Sequence, residues 1–240
     1  MRCRSCKYIF LIIQFIMYVT FLSLDILDTN IALSNNIKFA AVVLCFLYVI
    51  FRKERQNTKD HIWLCCALAF TVVSDIFILL TDYYFYGVLT FIIAQQLYGI
   101  RIDELYEREK NSSVSRIKSV IIRLLYQTAL GFSVYIMLLL TDVNCDALLT
   151  VSIFYFISIC FNVVRSLKLS VHYRERKDIR IFAYGMLLFL LCDINVGLFN
   201  ISDFLPVGSA YTMIYNISSI LMWFFYAPSQ VLIALSGDTL

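Results

Sequence analysis

Helix breakers and charges are both scarce in this chain of 240 residues, which has two prolines, seven glycines and 15% Asp, Glu, Lys and Arg. Few breakers permit long, uninterrupted helices. So little charge, beside 61% hydrophobic residues, excludes a soluble globular domain, whose surface needs more polar cover than this chain can supply. Strand-like alternation of apolar and polar residues is absent, which argues against an outer-membrane barrel. Only two histidines occur, His61 and His172, both between apolar runs. Neither can reach the membrane interior, so an intramembrane His-zinc hydrolase or a His-served Ser or Cys nucleophile is excluded. No G-x-S-x-G elbow and no phosphate-cradling Gly loop occurs. No metal and no cofactor is expected, and no nucleic-acid partner.

What is present is apolar length. The mean hydropathy is +0.79, concentrated in eight stretches near 8–25, 36–51, 62–80, 84–100, 118–141, 146–165, 180–200 and 210–235. Each spans or nearly spans a hydrocarbon core of ~30 Å at ~1.5 Å per residue, the second and fourth being the shortest. The expectation is one all-α integral membrane domain over residues 1–240, a polytopic bundle of about eight transmembrane helices.

Nineteen of the twenty Lys and Arg fall before helix 1 or in the links 2–3, 4–5 and 6–7. The opposite links hold Asp25, Asp28, Asp82, Asp142, Asp146, Asp203 and one base, Lys38. The positive-inside rule then predicts cytoplasmic N- and C-termini. The first stretch is too long for a signal-peptide core and lacks a small-x-small cleavage site, so it reads as a membrane helix. Cys145 is the single cysteine of the outer links, so no structural disulfide is expected. Cys3 and Cys6 have no second Cys or His pair and read as solvated or lipidated thiols. The mixed-charge links RIDELYEREKNSSVSRIK and VHYRERKDIR read as solvated connectors or helix extensions along the headgroups.

Two acidic residues lie deep in apolar sequence. Asp75 in helix 3 and Asp193 in helix 7 sit ~20 Å from the basic ends at ~1.5 Å per residue. A carboxyl at such depth costs ~2.5 kcal/mol or more and is usually kept for function. Thr71 and Asp82 share the Asp75 stripe, and Gly197 and Asn200 the Asp193 stripe, so both faces should look into the bundle. Lys38, Gln95, Gln96, Tyr98, Asn162, Asn195, Asn216 and Gln230 offer further polar groups. Asn162 and Asn216 read as interhelical glue, and Lys38 as either a snorkelling lysine or a counter-ion. Pro228 frees the carbonyl of Phe224 and should kink helix 8 beside Gln230. The segments beginning at Ala67 and Gly185, each with an Asp eight residues on, suggest a 4+4 parallel repeat. Without metal or histidine, one carboxyl held as the acid and the other ionised would suit cleavage through an oxocarbenium-like state.

The stretch from Ala67 to Tyr98, with SDIFILL and YFYGVLTFIIAQQLY, resembles the YhhN-like lysoplasmalogenase family, in which a Gly-Asp on helix 3 precedes a Gly and an F-x-x-A-H-x-x-Y pattern on helix 4. FLLCDINVGLFN is similar to that family's Ser-Asp motif, YAPSQVLIA to its closing helix, and Lys38 falls where the family has a lysine. The resemblance implies hydrolysis of the vinyl ether bond of lysoplasmalogens, a lysophospholipid-type substrate met among membrane lipids in a bacterial cell membrane. Asp75 and Asp193 would be catalytic; Lys38 would orient a carboxylate or meet the phosphate; Gln95, Tyr98, Tyr226, Gln230 and Asn200 would line the substrate site. Three departures stand out: Gln95 replaces the family His and cannot transfer protons, and Ser74 and Cys192 precede the aspartates in place of Gly and Ser. The alternative is a lipid or small-molecule transporter or binding protein built on the same paired-Asp intramembrane site; a third is a sensor or scaffold working through the basic links.

Overall fold

A computed structural model describes residues 2–52, 58–110, 116–141, 145–203, 208 and 211–238. The long helices are α1 (Arg2–Ile26), α2 (Ile31–Ile50), α3 (Thr58–Asp75), α4 (Tyr84–Lys110), α5 (Arg116–Leu139), α6 (Ala147–His172), α7 (Lys177–Phe199) and α8 (Tyr211–Leu235). A π-helical turn, Ile76–Leu80, continues α3, and a 3-10 turn, Ile201–Asp203, follows α7. All eight helices, α3 together with its π-turn, are long and apolar enough to cross a membrane, and no strand forms among the described residues. The bundle is therefore all-α and polytopic.

Local chemistry starts two of these helices. Asn30, at φ 40°, accepts from Leu33 N at the head of α2, and Asp146 accepts from Leu149 N at 2.7 Å at the head of α6, each satisfying an orphan donor of the first turn.

Six helices close a ring in the order α2, α3, α4, α6, α7, α8 and back to α2. Outside it, α1 packs on α2 and α8, and α5 packs on α6 and α4. Burial follows the same division. In the apolar stretches of α1 and α5 17% of residues are buried, against 44% in α4 and α7, so the outer pair gives most of its surface to lipid.

The hydropathy-based boundaries were too short where charge begins. The fourth helix continues from residue 100 to Lys110, and the sixth from 165 to His172. The reason is pairing: Arg101, Asp103 and Glu104 are buried, not solvated. Arg101, 1% exposed, donates to Asp60 at 2.7 Å and to Ser236 Oγ at 2.7 Å, and its guanidinium lies 4.5 Å from the Phe182 ring centroid. Asp103 takes Arg123 at 3.2 Å, Ser119 at 3.0 Å, and Arg165. Asp238 takes Lys7 at 3.1 Å, Arg52 at 3.3 Å and the Tyr48 hydroxyl. These clusters knit the start of α1 and the ends of α2, α4, α6 and α8 to the starts of α3 and α5. The described basic residues Lys7, Arg52, Arg101, Arg123 and Arg165, predicted on one side, thus lie at one end of the bundle. Of the residues expected there, Lys53, Arg55 and the side chains of Arg2, Cys3, Arg4, Arg108, Lys110 and Arg116 lie outside what is described, as do Asp142 and the Asp203 side chain at the other end.

Candidate functional site

Asp75 is the last residue of α3, 3% exposed, at the entry to the π-turn. Such turns shift the side-chain register of a helix and occur often at functional positions. Here the turn carries the chain away from the stripe that sequence periodicity extrapolates. Asp82, expected on the Asp75 face, lies instead in the exposed link at φ 56° and accepts from the Tyr84 hydroxyl. Thr71 remains on the stripe, fully buried. Beside the turn, Ser74 Oγ donates to Gly87 O at 2.5 Å, and a Cβ on Gly87 would stand 2.5 Å from Ile78 Cγ1. The close approach of α4 to the π-turn requires that glycine.

The Tyr226 hydroxyl on α8 donates to both oxygens of Asp75, at 2.9 and 2.8 Å. On the other side of the ring, the Tyr155 hydroxyl on α6 donates to Asp193 Oδ2 at 2.7 Å, and Oδ1 of that carboxyl has no hydrogen bond among the described residues. The two carboxyls are not bonded to each other. An aromatic bridge joins them: the Phe91 ring lies 5.6 Å from Tyr155 and 6.5 Å from Tyr226, and Phe189 lies 5.7 Å from Phe91 and 5.5 Å from Tyr226. The Cys192 thiol has both Asp75 and Asp193 among its electrostatic neighbours. Two acids from different helices therefore converge on one interior cluster, each oriented by a tyrosine from a third and a fourth.

Gln95 is fully buried and faces Tyr155 from α4. Its Oε1 accepts from Asn162 Nδ2 at 3.0 Å, and the same Nδ2 donates to the Gln95 carbonyl at 2.7 Å. The Gln95 Nε2 has no hydrogen-bond acceptor. Asn162 is the interhelical glue expected of it. Gln96 plays a similar part, donating to Gln127 Oε1 at 3.0 Å and Ser158 Oγ at 3.2 Å. Tyr98, buried beneath Asp75 on the basic side, has its hydroxyl 3.5 Å from Thr71 Oγ1. Gln230 is 1% exposed, bonded through Nε2 to Ser229 Oγ at 3.3 Å, with Oε1 unpartnered. The carbonyl freed by Pro228 is taken by the Tyr18 hydroxyl, at 3.1 Å, and α8 runs through the proline as one element.

Three placements differ from expectation, that of Lys38 only in which carboxylate it meets. Lys38 is buried, but its carboxylate is Asp25 on α1, at 2.9 and 3.0 Å, with Ser34 Oγ also on Asp25 at 2.5 Å. Its ammonium sits 4.5 Å from the Trp223 ring centroid, and Trp223 lies 5.5 Å from Tyr226, so Lys38 reaches the Asp75 region only through aromatic rings. Asn200 donates to Val196 O of its own helix at 2.8 Å and closes the end of α7; Gly197 on the same stripe meets no neighbouring atom within 4 Å. The Asp193 stripe therefore leaves the bundle interior within one turn. Asn216 is exposed, and its side chain bonds no other helix among the described residues. Sequence reasoning passed over Tyr155 entirely, because nothing but the fold distinguishes it among sixteen tyrosines. It also left Asp25 among the link acids, although an Asp thirteen residues before the sole outer-side Lys was a signal for the pair.

A profile of the YhhN family matches residues 34–237. No curated protein and no solved structure matched the chain. The match runs from within α2 to the end of α8 and takes in both aspartates, both tyrosines and Lys38; with eight membrane-length helices among the described residues, the chain belongs to the YhhN family.

Proposed function

We propose that this protein is a membrane-embedded hydrolase that cleaves the vinyl ether bond of lysoplasmalogens by carboxylate acid–base chemistry. The observation that carries the reading is the convergence of Asp75 and Asp193, each hydrogen-bonded by one tyrosine, on a single aromatic cluster. Family membership supports the reaction class.

The chemistry divides between two differently held carboxyls. Asp193, with Oδ2 on Tyr155 and Oδ1 unbonded among the described residues, delivers a proton to the outer vinyl carbon. The inner carbon and its ether oxygen then share an oxocarbenium charge. Asp75, whose two oxygens both accept from Tyr226, faces that cation as the anion and takes a proton from the water that adds to it. As the resulting hemiacetal breaks its carbon–oxygen bond, Asp75 gives its proton to the leaving oxygen and Asp193 takes the hydroxyl proton, releasing a fatty aldehyde and a glycerophospho-alcohol; both carboxyls recover their starting states and one water is consumed per bond broken. Phe91 and Phe189 keep bulk water from the cation, which strengthens the field of each carboxyl. Gln95 cannot pass protons; its buried amide instead accepts from Asn162 on α6. Both termini are cytoplasmic in this reading, and α1–α4 and α5–α8 form a 4+4 parallel repeat, supported by the recurrence of neighbours: α1 meets α2 and α8 as α5 meets α6 and α4.

Purified protein given lysoplasmalogen should release aldehyde. Asp75→Asn and Asp193→Asn should each lower kcat by about 10²–10⁴-fold, the range of a lost general acid or base, with thermal unfolding retained. Undiminished aldehyde release from both variants would reject the reading.

A further inference from the structure

At the basic end of the bundle, α4, α5 and α6 enclose a pocket of about 520 Å³ whose walls include Asp103, Ser119, Arg165, Lys168, His172 and Tyr173, with Glu107 at the same wall. Arg165, Lys168 and His172 are spaced three and four residues apart, which places all three on one stripe of α6. Asp103 is shared between two guanidiniums, those of Arg123 and Arg165, and also accepts from Ser119. Asp103 thus meets two cations, and with Glu107 the wall carries two carboxylates beside Arg165, Lys168 and the imidazole of His172. Lys168 is exposed and forms no ion pair among the described residues, and His172 is exposed with its ring against Tyr173 at 4.6 Å. Arg165, its side chain 27% exposed, bonds Asp103 and, through Nη1, the Gly99 carbonyl at 3.4 Å, and lines the pocket. A guanidinium, an ammonium and an imidazole converging on one cavity are the donors that phosphate oxygens take.

We propose that this pocket binds a phosphate group, carried by a lipid head group or free in solution, on Arg165, Lys168 and His172. The site is distinct from the carboxyl cluster. Arg165 lies ten residues beyond Tyr155 on α6, and Asp103 twelve beyond Phe91 on α4, a separation of about 15–18 Å at ~1.5 Å per residue. The phosphorus of a lysoplasmalogen is five bonds from its vinyl ether oxygen, about 6 Å at ordinary bond lengths. A substrate whose vinyl ether lies between Asp75 and Asp193 cannot place its own phosphate here, so the pocket takes a second molecule.

The test measures binding, so it stands or falls apart from the proposed hydrolysis. Full-length protein in detergent micelles is titrated with phosphatidylglycerol, with diacylglycerol as the phosphate-free lipid, and with inorganic phosphate against chloride at equal ionic strength. Phosphatidylglycerol or inorganic phosphate should bind the unaltered protein about tenfold more tightly than the Lys168→Gln/His172→Gln variant, a difference of about 1.4 kcal/mol. Both substituted side chains are exposed, so the fold should persist. Binding of the lipid alone assigns the phosphate to a head group; binding of inorganic phosphate as well admits the free anion, and either result supports the site. Three results would overturn it: no binding of either phosphate ligand, equal binding by diacylglycerol, or an equal loss in a Lys177→Gln/Arg180→Gln control, which removes charge outside the pocket.

Discussion

Tyr226 and Tyr155 are the side chains through which the fold addresses its two intramembrane acids. Removing the Tyr226 hydroxyl strips both hydrogen bonds from a carboxyl that is 3% exposed. Tyr226→Phe should therefore cost about 1–3 kcal/mol of stability, the usual range for a buried polar group left unpaired, and lower the rate of aldehyde release. Tyr155→Phe should cost less stability, since Asp193 is only half-buried and loses one bond, yet depress kcat as well. Thermal unfolding and turnover measured side by side separate the two effects. Lys38 gives a different expectation. It and Asp25 are a buried pair at 2.9 Å, and breaking such a pair from one side costs about 3–5 kcal/mol. Lys38→Met should destabilise by that order, and Asp25→Leu added to it should restore much of the loss. A Lys38→Met protein that keeps its melting point but loses activity would instead place this lysine with the substrate.

Helices meet most closely in this bundle where glycine lets them. A Cβ at Gly185 on α7 would stand 3.0 Å from Ile233 N and 3.1 Å from Ser229 O on α8. Those are backbone atoms, which cannot rotate away. Gly185→Ala should push α8 off α7, destabilise by about 1–3 kcal/mol as overpacking does, and reduce activity by moving Tyr226, one turn from Ser229. Gly197, on the same helix with nothing within 4 Å, is the internal control. There alanine should be neutral or add up to about 1 kcal/mol through helix propensity. Equal melting points for the two variants would show that the α7–α8 contact is looser than these distances. The π-turn after Asp75 belongs to the same scale: it ends one apolar face and begins another, so the helix around it obeys two periodicities.

The whole bundle is held at its basic end by charges that its composition makes rare. Arg101 ties α4 to Asp60 on α3 and to Ser236 after α8 while stacking on Phe182 of α7. In Arg101→Met, α3, α7 and the end of α8 lose their common partner on α4, and Asp60 loses this guanidinium. We expect a loss of about 3–5 kcal/mol, seen as a lower melting point, with thermal inactivation tracking unfolding because the carboxyl cluster lies further along the helices. At the opposite end the smaller Asp25–Lys38 pair joins α1 to α2, giving the outermost helix a polar attachment to the ring as well as its apolar one.

Composition and charge order alone determined that this is an eight-helix membrane bundle with acids within helices 3 and 7, because lipid tolerates only helices and closed barrels, strand alternation is absent, and a carboxyl inside a spanning helix is penalised. Those are one-dimensional constraints, and Asp75, Asp193 and the asymmetric links carry them in plain view. Which groups meet across helices was decided by packing. Tyr155 and Tyr226 became the partners of the acids, Lys38 went to Asp25, and Asn200 turned back to its own helix. The length of α4 was likewise a tertiary matter: hydropathy ends at Arg101, but Asp60 and Ser236 satisfy that charge, so the helix continues through it. Hydrogen bonds between distant side chains leave no periodic trace in a chain, and only the folded ring brings their donors and acceptors within reach.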